Sequence, residues 1–468
     1  MTPLPFARAS PYPPLGAAGS GDEQGEHHMS VTTTTSAPWR TRAAVGAAYA
    51  AQGFGYATVV TSLPGLKART GIDDMTISFV LLLGCLLAAA GSVTAERVAT
   101  RRSSRTALVA GLLTQAVGLA VVTTATSVPP LVGAFAVFAI GLGMVDASIN
   151  MQGVLLQRFA GRSIMSTLFA CLTAAAILAA LTQAALANLG TTTGAVVALL
   201  TAAAVAAAIA LGIRGSLIPR AVADEAAAAA VAARGATAGA DGTGTTARTP
   251  LPRAGIWLFG SMVAVAFVAD SAVSSWSAVY LADGLDAPAT VAPLGYAAYQ
   301  GAVLVSRLAG DPLVRRFGRG KVVGVTVLLA VAGLGMVALL PSTGAAIVGF
   351  ALTGIGVGAL VPQAFSVAGE LAPERLDEVI QRINLFNYVG ALLGAVVLGL
   401  LSEGPGLGPA FLVPALLLLP AVALSPRFGG APATGRAGEA GAAAGSVAPP
   451  STPASSTTDT PPTSRDAS

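Results

Sequence analysis

The sequence predicts an all-α polytopic membrane protein, with twelve transmembrane helices arranged as two six-helix halves. Three observations predict it. Charged residues make up only 10% of the 468 positions, against about 25% in a soluble globular protein. Hydrophobic residues make up 54%, and the mean hydropathy is +0.73. Apolar runs of roughly 20 residues recur along the chain, each long enough to cross about 30 Å of hydrocarbon. This composition excludes a disordered chain, a disulfide scaffold and an ordinary cytosolic enzyme.

The elements follow in order. Residues 1–40 are rich in Pro, Gly, Ser and Thr and read as a disordered tail without the apolar core of a signal peptide. Met29 is a candidate start, and the pair His27 and His28 before it is too small to fill a metal coordination shell. Residues 41–213 form the first half, with spans at about 43–63, 75–95, 105–125, 129–150, 163–187 and 191–213. Residues 214–253 form a cytoplasmic linker whose alanine run, Ala226 to Ala233, carries too little transfer energy to be another span. Residues 254–425 form the second half, with spans at about 254–281, 290–310, 321–341, 343–367, 379–401 and 406–425. Residues 426–468 read as a second disordered tail. Every span has to be helical, because lipid offers the backbone amides no other partner.

Charge sets the expected orientation. With both termini cytoplasmic, the loops on the far side hold only Lys67 and Arg69 as basic residues. The near side then holds Arg97, Arg101, Arg102 and Arg105 after span two, and Arg315, Arg316, Arg319 and Lys321 after span eight. That is a positive-inside distribution for a bacterial-type cytoplasmic membrane. The net charge of +4 is scattered over short loops, which is no nucleic-acid surface. Cys85 and Cys171 sit in apolar runs and have no metal spacing.

The halves echo one another. Gly141-Leu142-Gly143 in span four recurs as Gly354-Ile355-Gly356 in span ten, 213 residues on. The charged stretch Glu96 to Arg105 recurs as Asp311 to Lys321. Two parallel six-helix repeats place a solute site at their interface near mid-membrane.

Ionisable groups inside a bilayer cost about 2.5–3.5 kcal/mol each, so they need a function. Two carboxylates fall well within spans: Asp146 in span four and Asp270 in span seven. Each can take a proton from one side and release it to the other, and one charge crossing 100 mV is worth about 2.3 kcal/mol. Asp146 is the first-choice proton carrier and Asp270 the second; a purely structural hydrogen-bonding role is the alternative for both. Asn150 lies one turn beyond Asp146 on the same face. Trp276 and Tyr280 lie beside the Asp270 face. Tyr299 and Gln300 in span eight, Asn384 and Asn387 in span eleven and Gln52 in span one are candidate solute-binding residues, with Gln115, Gln183 and Gln363 as further single amides. Amides and aromatic faces together suit a mixed polar and apolar solute without strong ionic character.

The stretch Arg307 to Gly318 offers a conformation-dependent charge lock. Gly310 would allow close helix approach, Asp311 would accept a hydrogen bond, and Arg307, Arg315 and Arg316 would pair across the cytoplasmic side. Glu96 and Arg97 would do the same in the first half. The chain contains no P-loop, nucleophile elbow, HExxH or dinucleotide fingerprint, so neither enzyme chemistry nor a cofactor or metal is expected.

The segment Arg307 to Lys321 resembles the signature loop of the major facilitator superfamily, with Glu96-Arg97 as its degenerate first-half copy. Four stretches resemble the fucose-permease-like branch of bacterial inner-membrane transporters. They are Gly53-Phe54-Gly55-Tyr56 up to Leu63-Pro64-Gly65-Leu66-Lys67, Gly141 to Gly153, Trp276 to Leu281, and Gly354 to Gly369 with Val361-Pro362. The resemblance implies the major facilitator fold and proton-coupled symport or export of a small molecule. It also implies a membrane acid at Asp146, with Asn150 beside it. Asp270 stands where the branch tends to have Glu, Phe169 where related sequences often have His, and Ser275 where the branch commonly has Asp. Span one lacks the carboxylate of true sugar symporters, so sugar specificity is not implied.

The expected function is therefore secondary active transport of a small molecule by alternating access, coupled to protons, by a monomer in a lipid bilayer. Efflux of a metabolite or drug and uptake of a sugar-like solute both remain open. The alternative is a non-transporting receptor on the same fold.

Overall fold

The computed structural model describes residues 38–160, 164–219, 253–370, 376–404 and 406–429. The long helices of the first half are α1 (Pro38–Thr70), α2 (Asp74–Arg101), α3 (Ser104–Val122), α4 (Val128–Ala160), α5 (Met165–Leu186) and α6 (Thr191–Ile213). Those of the second half are α7 (Arg253–Val279), α8 (Ala292–Phe317), α9 (Arg319–Leu339), α10 (Thr343–Glu370) and α11 (Leu376–Ser402). The last span is broken at Phe411 into α12 (Leu407–Ala410) and α13 (Leu412–Leu424). Residues 1–37, most of the 214–253 linker and the tail from 430 lie outside the described residues, and with them Met29, His27 and His28.

Helix boundaries have local causes. Asp73 caps α2 by accepting from the Thr76 amide at 2.8 Å, and Ser103 caps α3 by accepting from the Thr106 amide at 3.0 Å. The hydrogen bonds from Thr76 hold the exposed Asp73 carboxyl below the usual carboxylate range. Gly318 ends α8 at φ 85°, a conformation that favours glycine, and its N–H returns to the Val314 carbonyl. The expected turn from Arg307 onward is therefore helix as far as Phe317, with Pro312 inside it.

Ten described helices are long and apolar enough to cross a membrane by length and composition. The other two long helices, α1 and α8, are more polar. Their neighbours compensate for this in α1: residues 51–66 are buried except Tyr56. A helix shielded by protein does not need a lipid-soluble surface of its own. Phe79, Leu86, Val117, Leu178, Leu328 and Val348 are exposed on outer helices, as lipid contact requires.

The halves repeat in three dimensions. In the first, α3 packs on α4, α1 on α5, and α2 on α4; in the second, α9 packs on α10, α7 on α11, and α8 on α10. Across the halves α5 meets α8 and α2 meets α11, again as a related pair. The glycine echo does not keep register, however. Gly141 packs on Gln115 of α3 and Gly143 on Ala88 of α2, whereas Gly354 packs on Tyr299 of α8 and Gly356 on Thr326 of α9. Residues two apart on a helix face nearly opposite ways, so the two copies meet their corresponding neighbours in reversed order. Gly390 and Gly394 press against the Ala264 and Val268 carbonyls of α7, so both serve close packing of α11.

Candidate functional site

Asp146 lies on the face of α4 that meets α1. Gln52, three per cent exposed, donates through Nε2 to Asp146 Oδ1 at 2.5 Å and to the Leu142 carbonyl at 3.3 Å. One turn on, Asn150 Nδ2 donates back to the Asp146 carbonyl at 2.9 Å. Asn150 Oδ1 accepts from Tyr49 OH at 2.9 Å. Tyr49 is fully buried, and its ring meets Phe169 of α5 edge-on at 5.4 Å between centroids. Asp146 and Asn150 stay exposed while Ser148 and Ile149 between them are buried. The Asp146 carboxylate lies against the buried Gln52 where α4 meets α1.

Asp270 lies on α7, the second-half counterpart of α1 rather than of α4. Tyr299 OH donates to Asp270 Oδ1 at 2.5 Å, and Tyr299 is fully buried. Gln300 Nε2 donates to Tyr296 OH at 3.0 Å one turn earlier. Arg307, two turns beyond Tyr299 on α8, acts electrostatically on both Tyr299 and Asp270. Tyr56 of α1 lies within electrostatic range of both Asp270 and Asp146.

Sequence reasoning missed Tyr49 as a partner and quoted Tyr56 only as part of a motif. The signal was present: Tyr49, Gln52 and Tyr56 recur at helical spacing along one face of α1.

Other candidates lie elsewhere. Trp276 Nε1 donates to the Ala395 carbonyl at 2.8 Å, and Tyr280 OH donates to the Val337 carbonyl at 3.0 Å. Both are buried, and their polar atoms tie α7 to α11 and to α9 instead of facing a solute. In the described conformation their rings serve helix packing. Gln183 accepts from Ser62 at 3.1 Å, another helix tie. Asn387 is half-buried on α11, and the neighbouring Tyr388 is 71% exposed. The side chain of Asn384 lies outside the described residues.

The expected charge lock is also redrawn. Glu96, Arg97, Arg315 and Arg316 are exposed at the helix ends, and Arg316 covers the ring of its neighbour Phe317. A Cβ at Gly310 would meet nothing within 4 Å, so Gly310 makes no close helix approach. The Asp311 side chain lies outside the described residues. Arg307 belongs to the Asp270 cluster. A charge link appears instead at the opposite end of the bundle. Lys67 Nζ, at the end of α1, contacts Asp74 at 2.5 Å and Asp283 at 2.6 Å. Asp283 lies in the π-helical turn Tyr280–Gly284 after α7, so this link joins the two halves.

Residues 258–459 match the family model described as Major Facilitator Superfamily. An uncharacterized MFS-type transporter of Yersinia pestis is 27% identical over 373 residues, covering 78% of this chain and 90% of that protein. Among solved structures, the nucleoside transporter NupG superposes with a TM-score of 0.63 at 15% identity, covering 83% of this chain and 98% of the other. A D-xylose-proton symporter gives a TM-score of 0.63 at 15% identity, covering 82% and 97%. The chain has the major facilitator fold. The family match and the Yersinia relative support that superfamily, a multi-pass membrane location and membrane transport, and they point away from an enzyme.

Proposed function

We propose that this major facilitator protein is a secondary active transporter that moves a small molecule by alternating access, coupled to protons. Its sequence resembles the fucose-permease-like branch. It works as a monomer in a bacterial-type cytoplasmic membrane with both termini inside. The Lys67 link then lies on the outer side, and the described conformation has that side held together.

One observation carries the reading. Each half holds one carboxylate within its spans, and each accepts from one neutral donor, Gln52 on Asp146 and Tyr299 on Asp270. A neutral donor stabilises a carboxylate without cancelling its charge, so a proton remains exchangeable when the site opens to either side. Asp146 is the proton carrier of first choice, because Arg307 already offsets charge at Asp270. Asn150, Gln52, Tyr299 and Gln300 line the solute path.

The test is reconstitution in proteoliposomes with an imposed pH gradient. Solutes taken up with and without the protein are compared without a target list, and their flux is followed with internal pH. Asp146→Asn is expected to lose proton-driven accumulation. Full proton-coupled accumulation by Asp146→Asn overturns its role, and absence of counterflow in the wild type favours a receptor.

A further inference from the structure

The two acids differ in their electrical surroundings. Asp270 has the Arg307 guanidinium acting on it and a Tyr299 hydroxyl donating to it. Asp146 has only the neutral amide of Gln52 on Oδ1. Among the described residues, nothing donates to its Oδ2 and no ion pair reaches it; the two ion pairs found both belong to Lys67. Asp146 is also exposed, so a dissolved group can reach it.

The walls next to Asp146 are specific. Tyr49 holds Asn150 by its hydroxyl, and Phe169 stands edge-on to Tyr49 while 40% exposed. Aromatic faces attract cations through the ring quadrupole, most strongly where water is scarce. A carboxylate attracts the same group by charge-assisted hydrogen bonding. An uncompensated acid beside aromatic rings and an amide complements one positive charge on an otherwise uncharged body.

We propose that the first-half subsite of Asp146, Gln52, Asn150, Tyr49 and Phe169 binds a monovalent organic cation, a protonated or quaternary amine carrying hydroxyl or apolar substituents. This rests on the transport reading above and names the substrate class of the same site. Asp146 is the counter-ion, the exposed Phe169 ring is the aromatic wall, the buried Tyr49 positions Phe169 and Asn150 behind it, and Asn150 meets a polar substituent. Proton and amine then compete for one carboxylate, which makes the transport cycle an exchange of one for the other. The titratable groups around Asp146 are Tyr49 and Tyr56 on α1, with Cys85 of α2 and Asp270 of α7 beyond Tyr56; α3 and α5 present Gln115 and Phe169 to this region.

The experiment is equilibrium binding to the purified full chain in lipid nanodiscs, with four probes. Choline is paired with its neutral isostere 3,3-dimethylbutan-1-ol, and 2-phenylethylamine with 2-phenylethanol. At least one cation is expected to bind about tenfold or more tightly than its neutral partner. Its affinity falls as pH is lowered, because protons compete. Asp146→Asn removes the preference and the pH effect, Asp146→Glu keeps both, and Phe169→Leu weakens the cation alone. Unchanged thermal melting of the variants shows that they fold. Equal binding of cations and neutral partners, no binding of either cation, or a preference that survives Asp146→Asn overturns the proposal. Counterflow of a solute without cation preference sinks this inference alone. Cation binding without flux sinks the transport reading and leaves the subsite standing.

Discussion

Lys67 of the first half and Asp283 of the second approach to 2.6 Å, and the same ammonium holds Asp74 at 2.5 Å. Asp74 begins α2, so it fixes Lys67 within its own half, while Asp283 is the partner across the interface. The halves must part at this end in any cycle that opens it, and the Lys67–Asp283 contact must then break. Ser274 is buried on α7, nine residues before Asp283, and Lys67→Met is therefore expected to raise the reactivity of a cysteine placed there toward an impermeant thiol reagent added from that side. The paired reversal Lys67→Asp with Asp283→Lys is expected to restore protection. The link is partly exposed, so its energetic worth is only about 1 kcal/mol, enough to move an opening equilibrium about fivefold. Unchanged reactivity in Lys67→Met would remove it as a latch.

The same link has a defined alkaline limit. Partial burial disfavours the Lys67 charge, but the hydrogen bonds from its ammonium to Asp283 and Asp74 outweigh that and raise its pKa above the ordinary 10.5. A raised lysine contributes in full below its ordinary value and loses the contribution as pH climbs through the raised one. Loss of Lys67 charge is therefore expected to open this end only above pH 10.5. Protection measured stepwise across that range should fall in the wild type and show no step in Lys67→Met.

Tyr299→Phe keeps the ring and deletes the only hydroxyl seen to grip Asp270. A hydrogen bond to a charged group is worth about 1.5–3 kcal/mol. Solute flux is expected to fall about tenfold or more, with little change in melting temperature because the ring still fills its place. Flux at the wild-type rate would make Asp270 a bystander.

Trp276→Phe tests the opposite assignment. The indole bonds a backbone carbonyl of α11 and sees no solute space. Its loss is expected to cost about 1–3 kcal/mol of stability, since the Ala395 carbonyl and the freed volume lose their partner. Solute preference should stay as it was. A changed preference at unchanged stability would return Trp276 to the binding site.

Glycines in equivalent-looking helices should respond differently to alanine. A Cβ at Gly143 collides with the Ala88 carbonyl, whereas a Cβ at Gly310 meets open space. Gly143→Ala is expected to destabilise by about 1–3 kcal/mol through forced separation of α2 and α4. Gly310→Ala lies inside α8 and is expected to gain up to about 1 kcal/mol. Thermal melting of the two variants in the same detergent checks both.

Composition and run length alone were enough for the long helices, because a bilayer permits few other solutions for an apolar chain. Charge scarcity singled out Asp146 and Asp270 on the same grounds. Helical spacing joined Asp146 to Asn150 and Tyr296 to Gln300, since those contacts lie within one helix. Which amide grips Asp146, which ring is spent on a backbone carbonyl, and which lysine ties the halves depend on contacts between positions 94, 119 and 216 residues apart. No local periodicity encodes such separations. They arise when two bundles pack, and packing reverses the neighbours of one glycine pair relative to the other, buries Trp276, and brings Lys67 to Asp283.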